Sequence, residues 1–231
     1  MTVIYAGDLH GNLEAIKALD DRASQTRAEA IVQVGDFGCL WLDGVDEYFK
    51  SRQSNIPWFT CGGNHENYDN WNQAPYISGS NMSRLLPNVY WVKRSTCKII
   101  GGKNHLFLGG AESTDKQLRI EGETWWQQEM PTYQDLLTFS QALEDEKPEV
   151  VVTHDGPEFV LDWMEEDYGS NLSRDLQSIL THSSHKPDEW YFGHYHSFQA
   201  IKPQNDHRLP NTLFVCCGYD GEAWCNDTPI L

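Results

Sequence analysis

The chain has 231 residues, with 34 acidic against 17 basic side chains and a formal charge of -17, a balance that repels polyanions and disfavours nucleic-acid binding through a basic face. At 39% hydrophobic and 12% aromatic residues it is too apolar to be disordered and long enough to bury a real core, as one domain over residues 1–231. Bound cations are the one feature that would reverse the field locally.

The run Val3-Ile4-Tyr5-Ala6 reads as a short buried strand that ends in Gly7-Asp8-Leu9-His10-Gly11-Asn12. Asp8 and His10 are two apart, so an extended chain would point them the same way. Asn12 is a natural N-cap for a helix with Leu13, Ile16, Leu19 and Ala23 on one face. Ile31-Val32-Gln33-Val34 is the second strand, leading to Gly35-Asp36-Phe37-Gly38, and a helix from Gly44 to Arg52 follows. The third strand, Ile56 to Thr60, leads to Cys61-Gly62-Gly63-Asn64-His65-Glu66. In open α/β sheets, ligands gather where such strands end.

Tyr76 to Leu86 reads as a loop. The runs at 88–92, 97–100 and 105–108 look like consecutive strands, a meander that would start a second sheet, with His105 facing outward. Lys93, Arg94, Lys98 and Lys103 are expected on a solvated hairpin surface. The stretch from Gly109 to Pro131 has no clean period. Long aperiodic stretches are often lids over sites, so Asp115, Lys116 and Arg119 are expected near a substrate. Trp41, Trp125 and Trp126 suit either packing or stacking on a nucleobase. A helix from Thr132 to Glu146 should turn Leu136, Leu137 and Leu143 inward.

Glu149 to Thr153 is another buried strand, ending at His154-Asp155-Gly156-Pro157, and Asn171 to His182 is a helix. Glu189 to Phe192 leads into Gly193-His194-Tyr195-His196, whose i, i+2 spacing would aim both imidazoles one way. Phe198 to Ile201 and Leu213 to Cys217 should complete the second sheet. No repeat or linker is visible, no leader is expected from the opening residues, and no apolar run has membrane-spanning length. The six cysteines show no paired CxxC spacing and read as reduced thiols, so a cytoplasmic protein without a membrane partner is expected.

Asp8, His10, Asp36, Asn64, His154, His194 and His196 thus stand at strand ends. Carboxylate and imidazole donors together suit manganese, iron or zinc, and the absence of thiolate argues against a structural zinc. Seven donors exceed the needs of one ion and match two that share a bridging carboxylate. Such a pair holds a bridging hydroxide and clamps a phosphoryl oxygen, leaving His65 to protonate the leaving group.

The ordered motifs Gly7-Asp8-x-His10, Gly35-Asp36, Gly63-Asn64-His65-Glu66, His154 and Gly193-His194-x-His196 resemble the calcineurin-like metallophosphoesterase superfamily. The resemblance implies a four-layer α-β-β-α fold, two mixed sheets packed face to face and flanked by helices. It also implies two divalent ions, manganese foremost, with iron, zinc, nickel or magnesium as alternatives. Asp8, His10 and His196 would hold one and Asn64, His154 and His194 the other, with Asp36 bridging and His65 as general acid.

Members of the serine/threonine protein phosphatase branch extend the second motif as Gly-Asp-x-Val-Asp-Arg-Gly and carry an Arg before the Gly of the third. This chain has Gly35-Asp36-Phe37-Gly38-Cys39-Leu40-Trp41 and Gly62 there, so both phosphate-clamping arginines are missing and Cys39 replaces the Asp that pairs with the catalytic His. Arg119 or Lys116 is expected to supply the clamp. A small phosphomonoester or phosphodiester is therefore the expected substrate. Two other readings share the motifs: an interaction scaffold without chemistry, separable by metal analysis, and a nuclease, which the charge disfavours.

Overall fold

A computed structural model describes residues 1–42, 44–166, 169–203, 211–219, 222–225 and 228–230. The chain opens with β1 (Val3–Ala6), α1 (Leu13–Thr26), β2 (Ala30–Gln33), α2 (Val45–Ser51), β3 (Trp58–Thr60) and α3 (Tyr68–Asn72). Asn12 caps α1 as its side-chain oxygen accepts from the N–H groups of Glu14 and Ala15. The hairpin β4 (Tyr76–Ile77) and β5 (Met82–Leu86) leads to β6 (Val89–Val92), and the chain then crosses to β7 (Thr96–Ile100) and β8 (Lys103–Leu108). After the 109–131 stretch come α4 (Tyr133–Asp145), β9 (Val150–Thr153), α5 (Glu158–Trp163), α6 (Asn171–His182) and β10 (Glu189–Phe192). Four strands end it: β11 (Gln199–Ile201), β12 (Leu213–Cys216), β13 (Ala223–Cys225) and β14 (Thr228–Ile230).

The strands form two mixed sheets, ordered β14-β13-β1-β2-β3-β6-β5-β4 and β11-β12-β10-β9-β8-β7. Within them β1, β2, β3 and β6 are parallel neighbours, as are β8, β9, β10 and β12. Strand alternation explains the layering. Val3 and Tyr5 face the second sheet and meet Phe107, Val152, Tyr191 and Val215, whereas Ile4 and Ala6 face Ile16, Leu19 and Phe49 of the outer helices. On the far side Leu106, Val151 and Trp190 pack on Phe139, Leu143 and Leu176. Central strands buried on both faces read as unbroken apolar runs, as these do. The result is the four-layer fold the motifs implied.

Five local expectations differ from the structure. Residues 76–86 are a hairpin, and β6 joins the first sheet beside β3; turn residues look the same whether a chain doubles back or changes layers. Leu137 is exposed, and Phe139 takes the inward place on α4. Arg94 is no surface cation: it donates to the carbonyls of Gly109, Gln128, Glu129 and Met130 and so ties the two ends of the aperiodic stretch together.

His105 is fully buried. It lies on the same face of β8 as Phe107, between the sheets, and Nε2 is 2.7 Å from the Tyr5 hydroxyl. Polar alternation marks an outward face only where one side of a sheet meets water, and β8 is covered on both.

Candidate active site

The carboxyl ends of β1, β2, β3, β9 and β10 converge on one region. Neighbouring loops are stitched by backbone hydrogen bonds: Asp8 N–H to Gly35 C=O at 3.2 Å, His10 N–H to Asp36 C=O at 2.8 Å and Gly193 N–H to His154 C=O at 3.0 Å. The premise of an extended chain at the paired motifs fails. Asp8, His10, Asp36, His194 and His196 all have positive φ, between 42° and 74°, a conformation rare for residues with a side chain. Such backbone strain concentrates at functional sites, and here it brings the five side chains together, Asp8 and Asp36 buried and His196 half exposed at the rim.

The side chains meet closely. Asp36 Oδ2 lies 3.5 Å from His10 Nε2 and 3.4 Å from His154 Nε2. His196 Nε2 is 3.1 Å from His10 Nε2 and 3.8 Å from Asp8 Oδ1. Asn64 Oδ1 is 3.1 Å from His154 Nε2 and 3.0 Å from His194 Nδ1. All seven expected donors therefore gather in one cluster, with Asp36 between the two groups. Gly63 makes the approach possible: a Cβ there would overlap Asp36 Oδ1 and stand 2.7 Å from His154 Nε2.

The donor chemistry fits cations. His154 Nδ1 is 2.9 Å from the carbonyl oxygen of Val34, which only accepts, so Nδ1 carries the proton. In the neutral ring Nε2 is then a bare lone pair aimed at Asp36 Oδ2 and Asn64 Oδ1, two further acceptors. Only a positive charge reconciles three acceptors at that spacing, and a carbonyl partner on the other ring nitrogen is the usual second contact of a metal-bound imidazole.

The titration tendencies show the same strain. Burial opposes a charged His154, but Asp36 and Asp8 outweigh it and raise the ring to about 10. Burial raises Asp36 too, yet His154 and its neighbours hold it well below the usual carboxylate range. Asp8 is pushed up to about 8 by burial, with Asp36 adding to this and His154 opposing. Burial brings His10 down to about 4 and His194 to about 3. Protons shared among two buried carboxylates and several imidazoles are a poor substitute for divalent charge.

His65 sits at the rim of the cluster, its backbone N–H donating to Asp36 Oδ1 at 2.8 Å. Its ring is 5.0 Å from that of His10. Arg119 Nη2 donates to His65 Nε2 at 2.7 Å and pairs with Asp115 Oδ1 at 2.7 Å. Burial lowers the His65 pKa, and the Arg119 charge adds to that. Arg119 therefore does reach the site, whereas Lys116 does not: its exposed amine lies 4.0 Å above the Trp125 ring. Trp125 and Trp126 are buried, and Trp126 packs edge-on against Trp41 at 5.6 Å. Cys39 is buried with its carbonyl accepting from Trp71 Nε1.

Four residues given no role by sequence reasoning complete the surroundings. Glu66 is fully buried and accepts from the N–H groups of Phe37 (2.9 Å) and Gly38 and Gly63 (3.4 Å each), tying the second motif to the third. Burial, helped by Asp36, raises it to about 8. Ser113 reaches Asn64 from the aperiodic stretch, and Glu129 accepts from the Ser113 hydroxyl. Tyr219 lies 4.8 Å from the His196 ring. Glu66 was signalled by its place in the third motif and Tyr219 by following the end of β12; nothing in the sequence singles out Glu129.

Similarity to known proteins agrees with this geometry. The structure of TT1561 from Thermus thermophilus superposes with a TM-score of 0.58 at 17% identity, over 96% of this chain and 90% of that one. A provisional 5'-nucleotidase of Staphylococcus aureus, in complex with alpha-ketoglutarate, gives a TM-score of 0.51 at 14% identity, over 97% of this chain and 50% of that one. No curated protein matches the chain significantly. The profile of the calcineurin-like phosphoesterases matches residues 1–198, a span that includes every motif above, and the chain belongs to that family of metal-dependent phosphoester hydrolases.

Proposed function

We propose that this chain, as a single domain, hydrolyses phosphomonoesters or small phosphodiesters with two divalent ions, manganese foremost. Asp8, His10 and His196 would hold one and Asn64, His154 and His194 the other. The observation that supports this reading is Asp36 Oδ2 at 3.5 and 3.4 Å from the Nε2 atoms of His10 and His154, within reach of one residue from each ligand set. When bound, the ions supply Lewis acidity toward a phosphoryl oxygen and a nucleophilic water at neutral pH. No helix among the described residues is long and apolar enough to cross a membrane. Cys39, Cys61, Cys97, Cys216 and Cys217 carry free thiols, which a reducing compartment such as the cytoplasm permits.

The chain's own residues do the rest. A guanidinium can only donate, so Arg119 occupies the His65 Nε2 lone pair in this structure. A substrate phosphoryl group offers Arg119 a better, bidentate partner. Its transfer to the phosphate would free His65 Nε2 to take up a proton and deliver it to the leaving oxygen. Recognition of the phosphate and arming of the acid are thereby one event. The buried cluster excludes water from Asp36, and Glu66 keeps the second and third loops in register around it.

The test is turnover of a generic aryl phosphate and a bis-aryl phosphate in manganese. Asp36→Asn should abolish it, and His65→Ala should lower kcat by roughly 100-fold or more, the usual contribution of general acid catalysis. Full activity in either variant refutes the role assigned to that residue.

A further inference from the structure

Asn64 has two chemically different ends, and only its carbonyl oxygen can face a cation. Turning the amide over exchanges Oδ1 for Nδ2 at almost constant volume, so something must choose between the two orientations. On the inner side Oδ1 stands 3.1 and 3.0 Å from His154 Nε2 and His194 Nδ1. On the outer side Nδ2 donates to Ser113 Oγ at 3.2 Å.

The choice is made one bond further out. Ser113 Oγ donates to Glu129 Oε2 at 2.7 Å, and Glu129 Oε1 accepts the Ser113 backbone N–H at 3.1 Å. A carboxylate only accepts, so the single hydroxyl proton of Ser113 is committed to Glu129. Its oxygen must then accept, and the group that faces it must be the Asn64 NH2. Asn64, Ser113 and Glu129 are all buried, so water cannot supply the missing donor or acceptor if the chain of bonds is broken. The anchor is itself fixed, since Arg94 grips the backbone on both sides of this stretch, at Gly109 and at 128–130.

We propose that Ser113 and Glu129 are positioning residues that set the polarity of the Asn64 amide and hold its carbonyl oxygen toward a divalent cation shared with His154 and His194. This rests on the reading of Asn64 as a metal ligand. It gives the 109–131 stretch a second task besides presenting Arg119: whatever displaces that stretch also loosens a ligand.

The experiment is calorimetric titration of the chelator-stripped full chain with MnCl2, alongside circular dichroism. Ser113→Ala removes the acceptor and should weaken Mn2+ binding at the affected site by about 10- to 100-fold, the usual effect of losing an outer contact to a ligand. Ser113→Thr keeps the hydroxyl and should restore affinity to within a few-fold. Glu129→Gln is nearly isosteric but can donate to Ser113, which lets the bond chain reverse; it should weaken binding like Ser113→Ala, and it stands in should that variant not fold. If Asn64→Ala loses affinity while folded Ser113→Ala and Glu129→Gln bind Mn2+ as the parent does, the positioning role is overturned and the site survives. If Asn64→Ala itself binds Mn2+ as tightly as the parent, the site reading falls and the positioning role with it.

Discussion

Acidification should destabilise this protein through His105, by an amount the structure sets. His105 Nδ1 is 2.9 Å from the Lys103 carbonyl oxygen and must carry the proton, so Nε2 accepts from the Tyr5 hydroxyl at 2.7 Å. Tyr5 in turn stacks on Tyr191 with ring centroids 3.6 Å apart, which leaves it little room to turn its hydroxyl away. Burial, partly offset by the bond to Lys103, brings the pKa of His105 down to about 4. An unfolded His titrates near 6.5. The folded-state pKa is therefore the lower of the two, and the stability tied to the neutral ring is fully present above pH ~6.5 and drains away as pH falls toward 4. At about 1.4 kcal/mol per unit, the loss is about 2 kcal/mol by pH 5 and about 3 kcal/mol by pH 4.

The assay is urea unfolding of the parent and of His105→Gln at pH 7.5 and pH 5. Glutamine can bridge Lys103 and Tyr5 without titrating, and every other ionisable group is common to both proteins, so its contribution cancels. Between the two pH values the parent should lose about 2 kcal/mol more than the variant. Parallel losses would show that His105 does not titrate in the folded protein as argued.

Other outcomes can be checked with the same material. Gly63→Ala should fold but lose turnover, because its Cβ falls on Asp36 and close to His154; an active Gly63→Ala protein would contradict the packing of the cluster. Arg52 pairs with Asp20, both side chains almost fully buried, so Arg52→Leu should cost about 3–5 kcal/mol in urea unfolding by stranding the carboxylate. Arg119→Ala should raise KM for the best phosphoester found, and unchanged KM and kcat would remove Arg119 from the phosphate. Chelation should abolish activity and lower Tm, and Mn2+ at a hundredfold excess over its Kd should restore about 3 kcal/mol of stability, read from the unfolding midpoint.

The outcomes for individual residues show which kinds of information local sequence holds. Strand-end placement of Asp8, Asp36, Asn64, His154 and His194 was legible because apolar runs followed by glycine and a polar side chain need only short-range pattern. The expectation that i, i+2 spacing on an extended chain would align Asp8 with His10, and His194 with His196, was mistaken in its means: the backbone there is left-handed, which a period-two pattern does not announce. Arg119 could be suspected from the length of its segment, but its contact with His65 Nε2 depends on where that segment lies across the sheets. Arg94 looked like a solvated cation for the same reason. Its four carbonyl partners lie 15 to 36 residues away.

Chain order by itself placed seven candidate donors at strand ends, and the ordered motifs carried the resemblance that implied the family and its two-sheet fold, since motifs are matters of side-chain type, spacing and sequence. The tertiary structure alone decided that β6 belongs to the first sheet, that His105 is locked between the layers, and that Asn64 meets Ser113, which in turn meets Glu129. Those three facts are settled by which chain segments lie beside one another across separations of 16 to 100 residues, from Ser113 on Glu129 to Tyr5 on His105, and by the direction of each proton between them. A linear pattern records donors and acceptors; only their juxtaposition says which of them give and which receive.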